Sequence, residues 1–197
     1  IYNGDWTEQS PLGKAEWIKF FGALYGLKDK ADAQFKTIEK EYNEALALAQ
    51  KTTTKPTVFS GAIYQEKWYL PGGKSWASLF IKDANAHYLW EETPETGSLS
   101  LSFETVLEKA EDADFWIGPA QFTTLKEITD DNPNYQFFKA YKNKNVYSFS
   151  TKKGKTGGVL YYELAPNRPD LILKDLIKIM HPEVFPDYEL VFFEKLK

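Results

Sequence analysis

Thr52-Thr53-Thr54-Lys55-Pro56-Thr57-Val58-Phe59-Ser60 is the stretch that decides the fold. Its first five residues offer a helix no apolar face, and Pro56 cannot donate the N–H a helix would need, so they read as a boundary. Directly after it, Thr57–Ser60 has the β-branched and aromatic composition of a short strand. The chain changes its periodicity across this break.

Upstream the period is helical. Ile1–Ser10 reads as an irregular lead-in, and Ser10-Pro11 is a helix-start signal, since proline is tolerated in the first turn. Trp17, Phe20, Phe21, Leu24 and Tyr25 then recur at helical spacing until Gly26 stops them. A second helix is expected over about Asp29–Lys51, carrying Phe35, Ile38, Tyr42, Leu46 and Ala49. At 1.5 Å per residue it would reach about 33 Å, the width of a small domain. With Lys and Glu on its outer face it reads as a strut. The expected division is therefore a lead-in and helical strut over 1–52 and an α/β unit over 53–197.

Downstream, strands and helices alternate. Strands are predicted at Thr57–Ser60, Trp68–Leu70, Tyr88–Trp90, Phe115–Ile117, Val146–Phe149 and Glu189–Phe193. Between them fall helices at about Ser75–Asn85, Phe103–Ala110, Leu125–Thr129, Tyr135–Tyr141 and Asp170–Met180, with a flexible loop at Thr151–Gly158. This alternation argues for a three-layer α/β sandwich with a mostly parallel sheet. There is no internal repeat.

Composition bounds the chemistry. The 197 residues carry 24 Lys+Arg against 28 Asp+Glu, a net charge of −4. No window approaches the ~18 uninterrupted apolar residues of a membrane helix, and the first residues do not form a signal peptide. Cysteine is absent and histidine occurs only at His87 and His181. Disulfides, thiolate zinc, iron–sulfur ligation and cysteine catalysis are thereby excluded. All the basic residues but Arg168 are lysines spread among acids, so no nucleic-acid footprint is expected. The 6 Trp, 12 Tyr and 14 Phe need an explanation.

No catalytic constellation stands out. Neither histidine lies near a nucleophile-elbow pattern. His181, in Met180-His181-Pro182, reads as a helix C-terminal cap, and His87 as an edge or surface residue. Leu70-Pro71-Gly72-Gly73-Lys74-Ser75 lacks the G-x-x-x-x-G-K-[ST] spacing of a phosphate loop. It reads either as a glycine-permitted turn with Ser75 capping the next helix, or as a turn whose N–H groups face a ligand beside Trp68, Tyr69 and Trp76. Arg168 either pairs with Glu163 or Asp170 or offers a planar fork to an anion next to Tyr161 and Tyr162. Glu104, in Ser102-Phe103-Glu104, fits ordinary first-turn electrostatics.

The order of these pieces resembles the C-terminal half of a periplasmic substrate-binding protein of an ABC importer, of the iron-siderophore, haem and cobalamin class. The resemblance runs from Pro11-Leu12-Gly13-Lys14-Ala15-Glu16-Trp17 through the strut and the Thr57–Ser75 strand-and-turn. It continues over Ser102-Phe103-Glu104-Thr105-Val106-Leu107 and Ala113-Asp114-Phe115-Trp116-Ile117 to Asn145-Val146-Tyr147. Arg168-Pro169-Asp170-Leu171-Ile172-Leu173 completes it. The Trp-Tyr-Leu-Pro-Gly-Gly-Lys-Ser and His-Pro-Glu segments look like the Bacteroidetes-type branch.

The resemblance implies a non-enzymatic receptor with no resident cofactor, whose ligand is a metal chelate. It implies an ABC-importer permease as partner, docked through Glu104. The implied cleft wall is Trp68, Tyr69, Trp76, Tyr161, Tyr162 and Arg168. The N-terminal lobe of such a receptor is missing from this chain, which is expected to be part of a longer periplasmic protein with a lipoprotein anchor. The competing expectation is a small α/β enzyme using Tyr161, Tyr162, Glu163 and Arg168.

Overall fold

The computed structural model describes residue 4 and residues 7–197; most of the expected Ile1–Ser10 lead-in lies outside the described residues. Ser10 accepts a hydrogen bond from the Gly13 N–H at 3.0 Å and so caps α1, Pro11–Leu24, with Pro11 in its first turn. Helix α2 spans Lys28–Ala49 and buries Ala31, Phe35, Ile38, Tyr42, Ala45 and Ala49, a stripe one helical period apart. That stripe packs on α1 and on α8, Pro169–Met180. Two polar links fix it: Lys174 on α8 pairs with Glu41, and the Tyr42 hydroxyl donates to Asp83 at the end of α3, Trp76–Asp83. Burial pushes the Asp83 carboxyl up. The Lys174 ammonium, hydrogen-bonded to Glu41, holds that carboxyl below its usual range.

Two sheets follow the break. The larger has the order β4 (His87–Tyr88), β1 (Thr57–Ser60), β6 (Phe115–Ile117), β7 (Val146–Ser148) and β8 (Glu194–Lys195). Its first four strands are parallel and β8 is antiparallel to β7, so the sheet is mostly parallel, as the alternation requires. The smaller sheet, β2 (Ala62–Tyr64), β3 (Lys67–Pro71) and β5 (Ser98–Leu101), is antiparallel. Sequence reading places the Trp68 strand in the main alternation and misses β2 and β5. The turn joining β2 to β3 runs through Gln65 and Glu66 at positive φ and carries no Gly or Asn signal.

The aromatic surplus is core. Phe59 on β1 and Trp116 on β6 stand opposite each other in register and stack at 5.1 Å. Phe138 lies 4.8 Å from the Phe59 ring, and Tyr135 and Trp68 lie 5.3 and 5.6 Å from the Trp116 ring, so the three close over the pair. Each such pair adds about 0.5–1.5 kcal/mol beyond the area it buries. On the opposite face of the sheet, α3 and α8 pack together.

Two boundaries differ from expectation for stated reasons. The 135–141 helix is split into a 3-10 turn, Pro133–Phe137, and α6, Lys139–Lys142, because Phe138 is extended with its ring in the core. The closing strand forms at Glu194–Lys195 instead of Glu189–Phe193. The buried Asp175 carboxylate on α8 takes the N–H groups of Val191, Phe192 and Phe193 at 2.9, 2.7 and 3.1 Å, so none is left for a ladder.

Candidate functional site

Parallel strands β1, β6 and β7 end side by side, and ligands of open α/β sheets sit off the carboxyl ends of such strands. Here the residues just past those ends are Gly61, Gly118 and Phe149. They line a cavity of about 320 Å³ whose other walls are Trp76, Ala77, Phe80 and Ile81 of α3, Ile172 and Leu176 of α8, Phe193, and Tyr161 and Tyr162. The two tyrosines come from α7, Leu160–Leu164, a short helix that the sequence reading leaves in the loop region. A second cavity of about 490 Å³, lined by Ala62, Ile63, Tyr64, Tyr69, Ala120 and Gln121, shares Gly61 and Gly118 with the first. The two are adjoining parts of one groove. Each falls within the ~300–1,000 Å³ typical of small-molecule sites.

Gly61 makes the groove floor possible. Its φ is +83°, and a Cβ there would lie 1.9 Å from the Tyr69 carbonyl oxygen, so only glycine lets β1 turn so close to β3. The wall is an aromatic stack. Tyr161 lies flat on Phe149 at 4.4 Å, meets the Phe193 ring edge-on at 5.7 Å and reaches Trp76 at 6.2 Å. Burial pushes the Tyr161 hydroxyl far above its ordinary range, so it stays neutral. Tyr162 stands 68% exposed at the rim. Among the described residues no charged side chain lines either cavity.

The structure brings Trp76, Tyr161, Tyr162 and Tyr69 to this groove and leaves two expected wall residues elsewhere. Trp68 is a correction: it is fully buried, and its indole N–H donates to the Ser60 carbonyl at 2.9 Å. As the centre of the aromatic core it has no face to offer. Arg168 is the second correction. Its guanidinium grips the buried Asp170 carboxylate through Nε at 3.0 Å and Nη2 at 2.7 Å, and it lines neither cavity. Of its two readings, the ion pair holds. The Leu70–Ser75 turn is likewise closed: Gly72, Gly73 and Lys74 give their N–H groups to Gly97, Thr93 and Glu95, and Ser75 caps α3 through the Ser78 N–H.

Glu163 accepts from the Thr156 hydroxyl at 2.8 Å, away from Arg168's partner, so the Tyr161/Tyr162/Glu163/Arg168 set is not assembled into one reacting group. His181 caps α8 through its backbone N–H, with its ring buried beside Thr54 and Asn85. His87, on the edge strand, meets Glu91 at 3.0 Å. Among the described residues no group of three or more acidic or His side chains is placed to hold a metal ion. Glu104 stands exposed in the first turn of α4, Phe103–Ala110, with no ion pair among the described residues. Sequence reasoning missed Phe149, Phe193, Gly61 and Gly118. The glycines carried a usable signal, since each directly follows a strand read correctly from sequence.

Residues 6–152 match the family model described as periplasmic binding protein, and the chain belongs to that family. It is 32% identical over 198 residues to an uncharacterized lipoprotein of Methanocaldococcus jannaschii, covering 99% of this chain and 45% of that protein. The chain spans about half the length of the curated relatives it matches. Its fold is that of the TroA-like periplasmic binding protein FepB from Veillonella parvula (TM-score 0.69, 18% identity, 95% of this chain and 62% of that one). It also matches the haem complex of IsdE from Staphylococcus aureus (TM-score 0.63, 17% identity, 87% and 65%). No helix among the described residues is long and apolar enough to cross a membrane.

Proposed function

We propose that this periplasmic binding protein chain is the C-terminal half of an extracytoplasmic receptor that captures a metal chelate and hands it to an ABC-importer permease. The observation that carries the reading is the aromatic-walled groove along the carboxyl ends of β1, β6 and β7. An iron-siderophore, haem or cobalamin presents large ring or lobed surfaces, which suit stacking on Tyr161, Tyr162 and Trp76. The metal arrives inside its chelate, so the protein needs no metal ligands of its own. The groove is one wall; the other belongs to an N-terminal lobe of the same receptor, and the mature protein works outside the cytoplasmic membrane, held there by a lipid anchor. Glu104, exposed at a helix start, is the docking acid for basic residues of the permease.

The enzyme alternative has less support, because Arg168 and Glu163 are each committed to other partners. The test is a titration of ferric siderophores, haem and cobalamin into a receptor carrying this chain and its N-terminal half. Sub-micromolar binding of one class, lost when Ala77→Trp fills the groove, is expected. Absence of binding by every class refutes the reading.

A further inference from the structure

Helix α3 gives the groove only one of its faces. Trp76, Ala77, Phe80 and Ile81 line the groove, whereas Ser78, Leu79 and Lys82, on the opposite face, line a separate recess of about 230 Å³. The two cavities share no residue. Three lysines from three places in the chain meet at the recess. Lys55 comes from the break before β1, Lys74 from the turn ahead of α3, and Lys82 from the last turn of α3. None of them forms an ion pair among the described residues.

Ser78 is the buried polar group of this recess, only 2% exposed. Its N–H donates to the Ser75 hydroxyl at 3.3 Å, but its own hydroxyl has no hydrogen-bond partner among the described residues. A hydroxyl withdrawn from bulk water with no protein partner costs free energy, which a ligand oxygen in the recess would offset. Two acids also border the recess. Glu91 Oε1 is engaged by His87 Nδ1 at 3.0 Å, and its Oε2 is buried out of a ligand's reach. Glu92 is exposed, so the cations are in excess. The Gly72, Gly73 and Lys74 N–H groups are spent on Gly97, Thr93 and Glu95, which leaves side chains to hold an anion here.

We propose that the recess binds a small phosphate ester, whose phosphate oxygens accept from the Lys55, Lys74 and Lys82 ammonium groups and from the Ser78 hydroxyl. A carboxylate presents two oxygens in one plane. A tetrahedral phosphate presents three or more, which suits donors arriving from separate segments, and lysine binds it as a point charge. The volume lies below the ~300 Å³ at which sites for drug-sized ligands begin, so the ester is small. A soluble ester and the glycerol phosphate headgroup of a lipid share this chemistry. The site is independent of the groove and of what the groove holds.

The experiment titrates glycerol 1-phosphate, with glycerol as the uncharged control, into this chain at about 0.15 M salt, where distant charges are screened. Backbone amide NMR is expected to show saturable shifts at Ser78, Leu79 and Lys82 with the phosphate ester and none with glycerol. Ser78→Ala should weaken binding about tenfold, the loss of one hydrogen bond to a charged oxygen. Lys74→Gln combined with Lys82→Gln should abolish it. Lys36→Gln, an exposed lysine of α2 outside the recess, should change nothing. Sedimentation with phosphatidylglycerol vesicles separates the two sources: sedimentation lost in Ser78→Ala but kept in Lys36→Gln assigns the lipid headgroup, and binding of the soluble ester alone assigns a free one. Binding unaffected by Ser78→Ala, or weakened equally by Lys36→Gln, is unselective attraction to lysines and overturns the proposal. Binding of neither the soluble ester nor the vesicles overturns it as well.

Discussion

At the scale of single residues, exposure separates functional from structural roles more sharply than residue type does. Glu104 is exposed and makes no ion pair among the described residues, so Glu104→Ala should leave stability within about 0.5 kcal/mol while reducing uptake by the intact receptor. Unchanged uptake, with the N-terminal lobe's docking acid also removed, would discard the docking role. Asp114 is the opposite kind of acid. Partial burial pushes its carboxyl up, but Lys139 at 2.8 Å and the Thr57 N–H and hydroxyl at 3.0 and 2.9 Å outweigh that and hold it below the usual range. A carboxyl with a lowered folded-state value adds stability above its unfolded value of about 3.9 and loses it as pH falls through the folded one. Asp114→Asn should therefore be less stable than the parent at pH 7 and lose less on acidification. Urea midpoints at neutral and acid pH measure both slopes, and parallel slopes would contradict the assignment.

Among the elements, the connection between α8 and the C-terminal segment depends on one side chain. Asp175 is fully buried and accepts from the Tyr188 hydroxyl at 2.8 Å as well as from three successive backbone amides. Burial pushes its carboxyl up, against the pull of those donors. Removing it strands three backbone N–H donors and leaves the Tyr188 hydroxyl only its longer contact to the Leu171 carbonyl at 3.4 Å. Asp175→Ala should cost about 3 kcal/mol or more. Hydrogen exchange should quicken first at the Val191, Phe192 and Phe193 amides, ahead of β1 and β6. Uniform acceleration across the sheet would mean that the segment is not held through Asp175. Phe193 lines the groove, so this anchor also positions part of the proposed site.

For the whole molecule, the decisive quantity is how much of a ligand one wall can cover. Small-molecule sites normally enclose most of their ligand. A single wall forfeits about half the contacts while the cost of immobilising the ligand is undiminished. Chelate binding by this chain alone should be high-micromolar or weaker, on the order of −5 kcal/mol. The exposed rim, Tyr64, Tyr69 and Tyr162, should also favour self-association through that face. Calorimetry and sedimentation at rising concentration check the two halves of the prediction. Nanomolar binding by this chain would show that the site is complete within it and that the two-lobe receptor is wrong.

Wherever a signal was local, the sequence determined the outcome. The Ser10-Pro11 cap, the α2 stripe, the Thr57–Ser60 and Phe115–Ile117 strands and the Ser75 cap each depend on residues within a few positions of one another. Their order sufficed for the α/β class and for the family resemblance. Tertiary structure decided what an aromatic or charged side chain was for. Trp68 and Trp76 share a composition and a neighbourhood, yet one became core and the other groove wall, because β3 folds back into the second sheet across Gly61. The closing strand was decided by an Asp175 carboxylate that claimed its amides first, from a helix some sixteen residues upstream. Burial and hydrogen-bond competition between distant segments are set by the packed chain, and no local pattern encodes them.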